Sequence, residues 1–194
     1  MYIRNMRRPL PDEYPPSCEM YIDNVRTHNI IKELRDQITD IQPILAAIPE
    51  EKEGYAYAPG KWTIKELVGH LTDTERVFSY RAMCFARKDK TPLPGYDENN
   101  YVANANFNKQ TLLNLGHEFI LLRQANMAFF NTLDEEAFDQ TGVANNTTVS
   151  VRAILFMMAG HTTHHINVLK DKYLSHKPVM QHLKNDTAHI NTTI

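Results

Sequence analysis

Gly160-His161-Thr162-Thr163-His164-His165 puts two histidines four residues apart, and reading it as one turn of helix decides the fold. An α-helix advances about 3.6 residues per turn, so positions i and i+4 share a face. His161 and His165 then differ by about 40° around the axis, while His164 lies about 60° from His161 the other way. Ile154, Met157, Met158, Val168 and Leu169 recur on the side of the pair. The spacing predicts a helix over about residues 150–174, with His161 and His165 facing inward. His164 falls on the helix flank or behind a ligand. Two imidazoles on one face can hold one divalent ion.

The rest of the chain repeats the helical period. Ile30, Leu34, Ile38, Ile41, Leu45 and Ile48 predict a helix over about residues 29–47, kinked at Pro43 and closed by Pro49. Thr63-Ile64-Lys65-Glu66 is a capping box that opens a second helix running to about residue 87. Its stripe is Ile64, Leu67, Leu71, Phe78 and Phe85. His70 sits at the stripe's edge, with Thr74 and Arg81 further along that side. Leu112, Leu115, Phe119, Leu122, Met127, Phe129 and Phe130 mark a third helix over about residues 109–132. The expected fold is therefore all-α, a four-helix bundle over residues 27–174.

The connections are read as irregular. Residues 1–26 carry Pro9, Pro11, Pro15 and Pro16 and are expected as an extended arm draped over the bundle. Residues 88–108 read as a long polar loop, and one of that length is more often functional than idle. Residues 142–148 read as a polar connection, and 175–194 as a polar tail.

Composition narrows the function. The chain has 194 residues, 42% of them hydrophobic, and a net charge of −2. It has no basic excess for nucleic acid and no apolar run near the roughly 20 residues that span a membrane. The N-terminus lacks the apolar stretch of a secretory signal. Cys18 and Cys84 form no C-x-x-C pair, so no disulfide framework is expected, and a reducing cytoplasm is the default location.

His70, His161 and His165 are the candidate metal ligands. Three imidazoles leave a divalent ion at least one open position. There, a metal can lower the pKa of bound water towards about 7, or deprotonate a small thiol. The first route gives hydrolysis, the second S-transfer or thiol-assisted isomerisation. The spacing is not H-E-x-x-H, so the glutamate base of a zinc protease is missing. Glu-x-x-His, which di-iron bundles need, is also absent from the last helix. Asp73 and Arg81 are the candidate catalytic residues, Asp73 to orient a ligand or act as a base, Arg81 to bind an anion. Their alternatives are a solvated carboxylate and a pin on the loop through Asp97 or Glu98. Cys84 is read as packed and Trp62 as an anchor at the start of the second helix. The Tyr96 and Tyr101 loop is read as a lid.

At these residues the chain resembles the DinB-like superfamily of metal-binding four-helix bundles, which includes the YfiT-type bacillithiol S-transferases. The resemblance runs from Arg8 to Leu174. It rests on Tyr57-Ala58-Pro59-Gly60-Lys61-Trp62, Gly69-His70-Leu71-Thr72-Asp73-Thr74-Glu75-Arg76, Pro94-Gly95-Tyr96-Asp97-Glu98 and Ser150-Val151-Arg152 leading to the histidine cluster. It implies a Zn²⁺ or Ni²⁺ ion on His70, His161 and His165, and a homodimer. Its members include thiol S-transferases, a thiol-dependent isomerase and metal-dependent hydrolases. The expectation is an enzyme that activates a small thiol against an electrophilic small molecule. The alternatives are a hydrolase using metal-bound water and a non-catalytic, stress-related metal-binding bundle.

Overall fold

The structure is a computed structural model that describes residues 6–175. The tail expected at 175–194 lies outside the described residues except for Ser175, as do His176, His182 and His189. Seven α-helices are found among the described residues: α1 (Glu19–Asp23), α2 (Ile30–Ala46), α3 (Ile64–Ala86), α4 (Glu98–Ala105), α5 (Leu112–Phe130), α6 (Glu135–Asp139) and α7 (Val151–Val168). The long four, α2, α3, α5 and α7, form the bundle.

Each long helix starts where a side chain can cap it. Asn29, Thr63, Thr111 and Ser150 accept from the backbone N–H of Lys32, Glu66, Asn114 and Ala153. The Thr63 box is complete, because Glu66 also accepts from the Thr63 N–H at 2.8 Å. Pro43 lies inside the last turn of α2. The final helix is shorter than its periodicity suggests: beyond Val168 it widens into a π-helical segment, Leu169–Leu174.

Around the ring the neighbours run α2, α5, α3, α7 and back to α2. The consecutive helices α2 and α3 thus lie on a diagonal. Two apolar clusters fill the bundle. One takes Ile30 and Leu34 from α2, Phe78 and Phe85 from α3, Phe130 from α5 and Ile154 from α7. The other takes Ile41, Leu67, Leu115 and Ile166 from the same helices. Therefore α2 and α7 run from the first cluster to the second, and α3 and α5 run back. Between the clusters each helix contributes buried polar residues: Gln37, then His70, Thr74 and Glu75, then Arg123 and Asn126, then His161 and Thr162.

Three connections differ from expectation. The arm is not extended throughout, because Pro11 and Pro16 each open a 3-10 turn and α1 follows. A proline suits the first position of a helical turn, where its missing N–H costs nothing. Buried Tyr14, Ile22 and Val25 join the first cluster, and Arg152 pairs with Glu13 of the arm at 3.1 Å. The 88–108 segment contains α4, capped by Asp97. The polar connection is a hairpin, β1 (Thr141–Ala144) against β2 (Thr147–Ser150), turned by Asn145 and Asn146, both at positive φ. Among the described residues no helix is long and apolar enough to cross a membrane.

Candidate metal centre

His70 comes from α3 and His161 and His165 from α7, two helices that are neighbours in the ring. The ligating atoms of the three lie within 4.8 Å of one another. Nε2 of His161 is 2.9 Å from Nε2 of His70 and 3.1 Å from Nε2 of His165. Two nitrogens bound tetrahedrally to one zinc ion stand about 3.3 Å apart, so the spacing nearly matches that of a shared ion. Nδ1 of His165 is buried with no hydrogen-bond partner among the described residues. The donor set fits a divalent cation, because three imidazoles bring ring nitrogens to within 4.8 Å of one another.

Burial fixes their charge. It pushes the pKa of His70 down to about 4 and that of His165 down to about 3, and His161 falls well below its usual value. Desolvation of the charged ring leads in all three, and the neighbouring histidines add to it for His161 and His165. Neutral imidazole is the form that ligates metal.

Aromatic rings enclose the triad. Trp62 lies 4.6 Å from the His70 ring and Tyr21 5.2 Å from that of His161, centroid to centroid. Trp62 thus does more than anchor α3, since it walls the site. Tyr21 arrives on α1, which Gly160 admits: a β-carbon there would fall inside the Tyr21 carbonyl. His164 is half-buried and touches Tyr21 and His165 from outside the triad.

A cavity of about 480 Å³ opens from the triad. His70, Thr74, Phe78 and Arg81 line it along α3, with Cys18 and Tyr21 from the arm and Tyr96 from the 88–108 segment. That segment is stitched down. Leu93 exchanges backbone hydrogen bonds with Val143 and Asn145 of the hairpin, and Tyr96 Oη shares a hydrogen bond with Thr74 at 2.7 Å. Arg81 donates to the Pro94 carbonyl at 2.8 Å, and no ion pair joins it to Asp97 or Glu98 among the described residues. Asp73 does not line the cavity; it pairs with Arg76, which also reaches Glu118. Cys84 is buried in the first apolar cluster.

Sequence reasoning missed the groups behind the triad. Arg123 is fully buried and forms a bidentate pair with Glu75, at 2.7 and 2.9 Å. Its remaining donors reach the Leu34 carbonyl, Gln37 and Thr162. Gln37 in turn donates to the Ala159 carbonyl and Thr163. All four long helices meet at this hub, which fixes the face that α7 presents. The available signal was an arginine at helical spacing between Phe119 and Met127.

Comparison with known proteins agrees with the fold. The DinB superfamily profile matches residues 33–169. A protein of Oceanobacillus iheyensis, named provisionally as a metal-dependent hydrolase, is 24% identical over 146 residues, 74% of this chain and 83% of its own. YfiT from Bacillus subtilis, described with similar reserve as a metal-dependent hydrolase with an unusual four-helix bundle topology, superposes with a TM-score of 0.61. The identity is 16%, over 83% of this chain and 88% of that one. The mycothiol-dependent maleylpyruvate isomerase superposes at 0.60 with 13% identity, over 75% of this chain and 61% of the longer one. With the profile running from within α2 to the end of α7 and taking in the three facing histidines, this chain belongs to the DinB superfamily.

Proposed function

We propose that this protein is a divalent-metal-dependent enzyme that uses a low-molecular-weight thiol to attack an electrophilic small molecule. The observation that carries the reading is the convergence of three imidazoles, two buried and one half-buried, in the lining of one cavity. A zinc or nickel ion there would supply Lewis-acid polarisation and lower the pKa of a thiol or water brought to it. His70, His161 and His165 are its ligands in this reading. Trp62 and Tyr21 keep solvent from the rings. The cavity has the volume of a small-molecule site.

The nucleophile is external. Cys18 is the one thiol lining the cavity among the described residues, and burial raises its pKa, which suits a packed thiol and not an attacking one. The structural likeness to a mycothiol-dependent isomerase supports a thiol cosubstrate. A second reading, hydrolysis with water as the nucleophile, is favoured by the names given to the Oceanobacillus relative and to YfiT.

Elemental analysis of the natively purified protein should find about one zinc or nickel per chain. His165→Ala should lose it, to less than about a tenth, while the helical circular-dichroism signal persists. Unchanged metal content in that variant overturns the ligand assignment. Turnover of electrophiles only with added thiol supports S-transfer; turnover of esters or amides without thiol selects the hydrolase.

A further inference from the structure

The cavity follows one face of α3. His70, Thr74, Phe78 and Arg81 line it at successive turns. Eleven residues of helix (70 to 81) advance about 16 Å; the greater N-terminal lean of the longer Arg81 side chain and the contact distances at the two ends together take up about 6 Å of it. A molecule touching both the triad and the guanidinium therefore spans roughly 10 Å.

Arg81 is chemically unfinished. Arg76, Arg123 and Arg152 each pair with a carboxylate. Arg81 pairs with none among the described residues, and its one hydrogen bond is to the Pro94 carbonyl. A guanidinium has five N–H donors. It is half-buried, with the Phe78 ring 6.0 Å from its carbon. Glu98 also lines the cavity without coming within ion-pairing distance. Ser17, Tyr96 and Asn145 add polar groups to the same lining. A half-buried charged group lining an open cavity, with its donors largely unspent, is suited to meet a charge of opposite sign.

We propose that Arg81 forms an anion subsite at the outer end of the cavity, so that the molecule reaching the triad carries a carboxylate or similar anionic group roughly 10 Å from its metal-facing atom. The inference rests on the reading of the cavity as a small-molecule site and deepens it by naming the charge and length of the ligand. It assigns Arg81 to binding; holding Pro94 is what keeps the guanidinium in place.

The test uses two probes that differ at one end, 6-mercaptohexanoate and 6-mercaptohexanol, with the cobalt-substituted full-length protein. Binding is read from thiolate-to-cobalt absorption. The carboxylate should bind about tenfold more tightly than the alcohol. Arg81→Met should erase that preference and leave the alcohol's affinity unchanged, and Arg81→Lys should restore part of it. Equal affinity for both probes in the unaltered protein overturns the subsite, as does an Arg81→Met variant that weakens both equally, which is the signature of a mere loop pin. A separate arm keeps the two readings apart: hexanoate and hexanol are titrated into metal-free protein by NMR. If neither thiol binds cobalt protein but hexanoate still binds through Arg81, the thiol reading fails and the subsite stands. If hexanoate shows no dependence on Arg81 in either arm, the subsite fails whatever the thiols do.

Discussion

Two buried polar clusters share the middle of this bundle, and both bridge α3 and α7. In one, Arg123 uses all five donors: Nε and Nη2 on Glu75, Nη1 on Leu34 and Gln37, and Nη2 again on Thr162. In the other, Nε2 of His161 faces Nε2 of both His70 and His165, and Nδ1 of His165 has no hydrogen-bond partner among the described residues. Burial punishes unmatched polar groups, so the first cluster is complete as it stands, while the second keeps one ring nitrogen without a partner among the described residues. Adjacent layers of one core thus divide the work. A closed network ties the four helices together, and a single residue away along α7 the histidine cluster offers, in the reading proposed above, the ligands of a metal.

The largest effect should come from breaking the closed cluster. Arg123→Ala leaves Glu75 buried with only Asn126 to donate to it. Removing one partner of a buried pair costs about 3–5 kcal/mol. Urea unfolding of metal-free protein should show a loss of that size. A loss under about 1 kcal/mol would mean that the pair is incidental, and the contrast would fail.

Acid should probe the open cluster. The folded-state pKa values of the three histidines lie below the ordinary value of 6.5, at about 4 for His70 and about 3 for His165. The unfolded chain therefore binds protons first as pH falls. Stability of the metal-free protein should be level above about pH 6.5, decline through the folded values, and level off below them. Between pH 6 and 5 the slope should be at least about 1.4 kcal/mol, one histidine held neutral. Replacing all three histidines with leucine should remove most of that slope in thermal melts and leave the smaller part that His164, also held below its usual pKa by burial, carries. An undiminished slope after that replacement would assign the acid sensitivity elsewhere.

What could be read in advance was local. The Thr63 box, the start of the last helix near Ser150 and the four-residue histidine spacing are each set within one or two turns, and the two helix starts appear where the pattern put them. The convergence of His70 on the α7 pair was foreseen only through spacing and resemblance. The missed parts are non-local. Arg123 draws its partners from residues 34, 37, 75 and 162, which no window joins. The hairpin hid in a polar stretch because its turn rests on two asparagines at positive φ, which a search for glycine overlooks. The arm's prolines suggested extension, yet proline serves equally well at the head of a helical turn.

The smallest change tests whether the two clusters are independent. Thr162 follows His161 directly; its hydroxyl accepts from Arg123 at 3.1 Å and donates to the Met158 carbonyl at 3.0 Å. Thr162→Val keeps the shape and deletes both bonds. One guanidinium N–H is left unmatched, while the Met158 carbonyl keeps its helical partner, so the cost should be about 1 kcal/mol in urea unfolding. If the hub only sets the fold, cobalt affinity and spectrum should stay within about twofold, because the remaining bonds from Gln37 to Ala159 and Thr163 still hold α7 in rotation. A shifted cobalt spectrum at unchanged stability would show the hub tuning the histidines directly, and the two layers would then be one device.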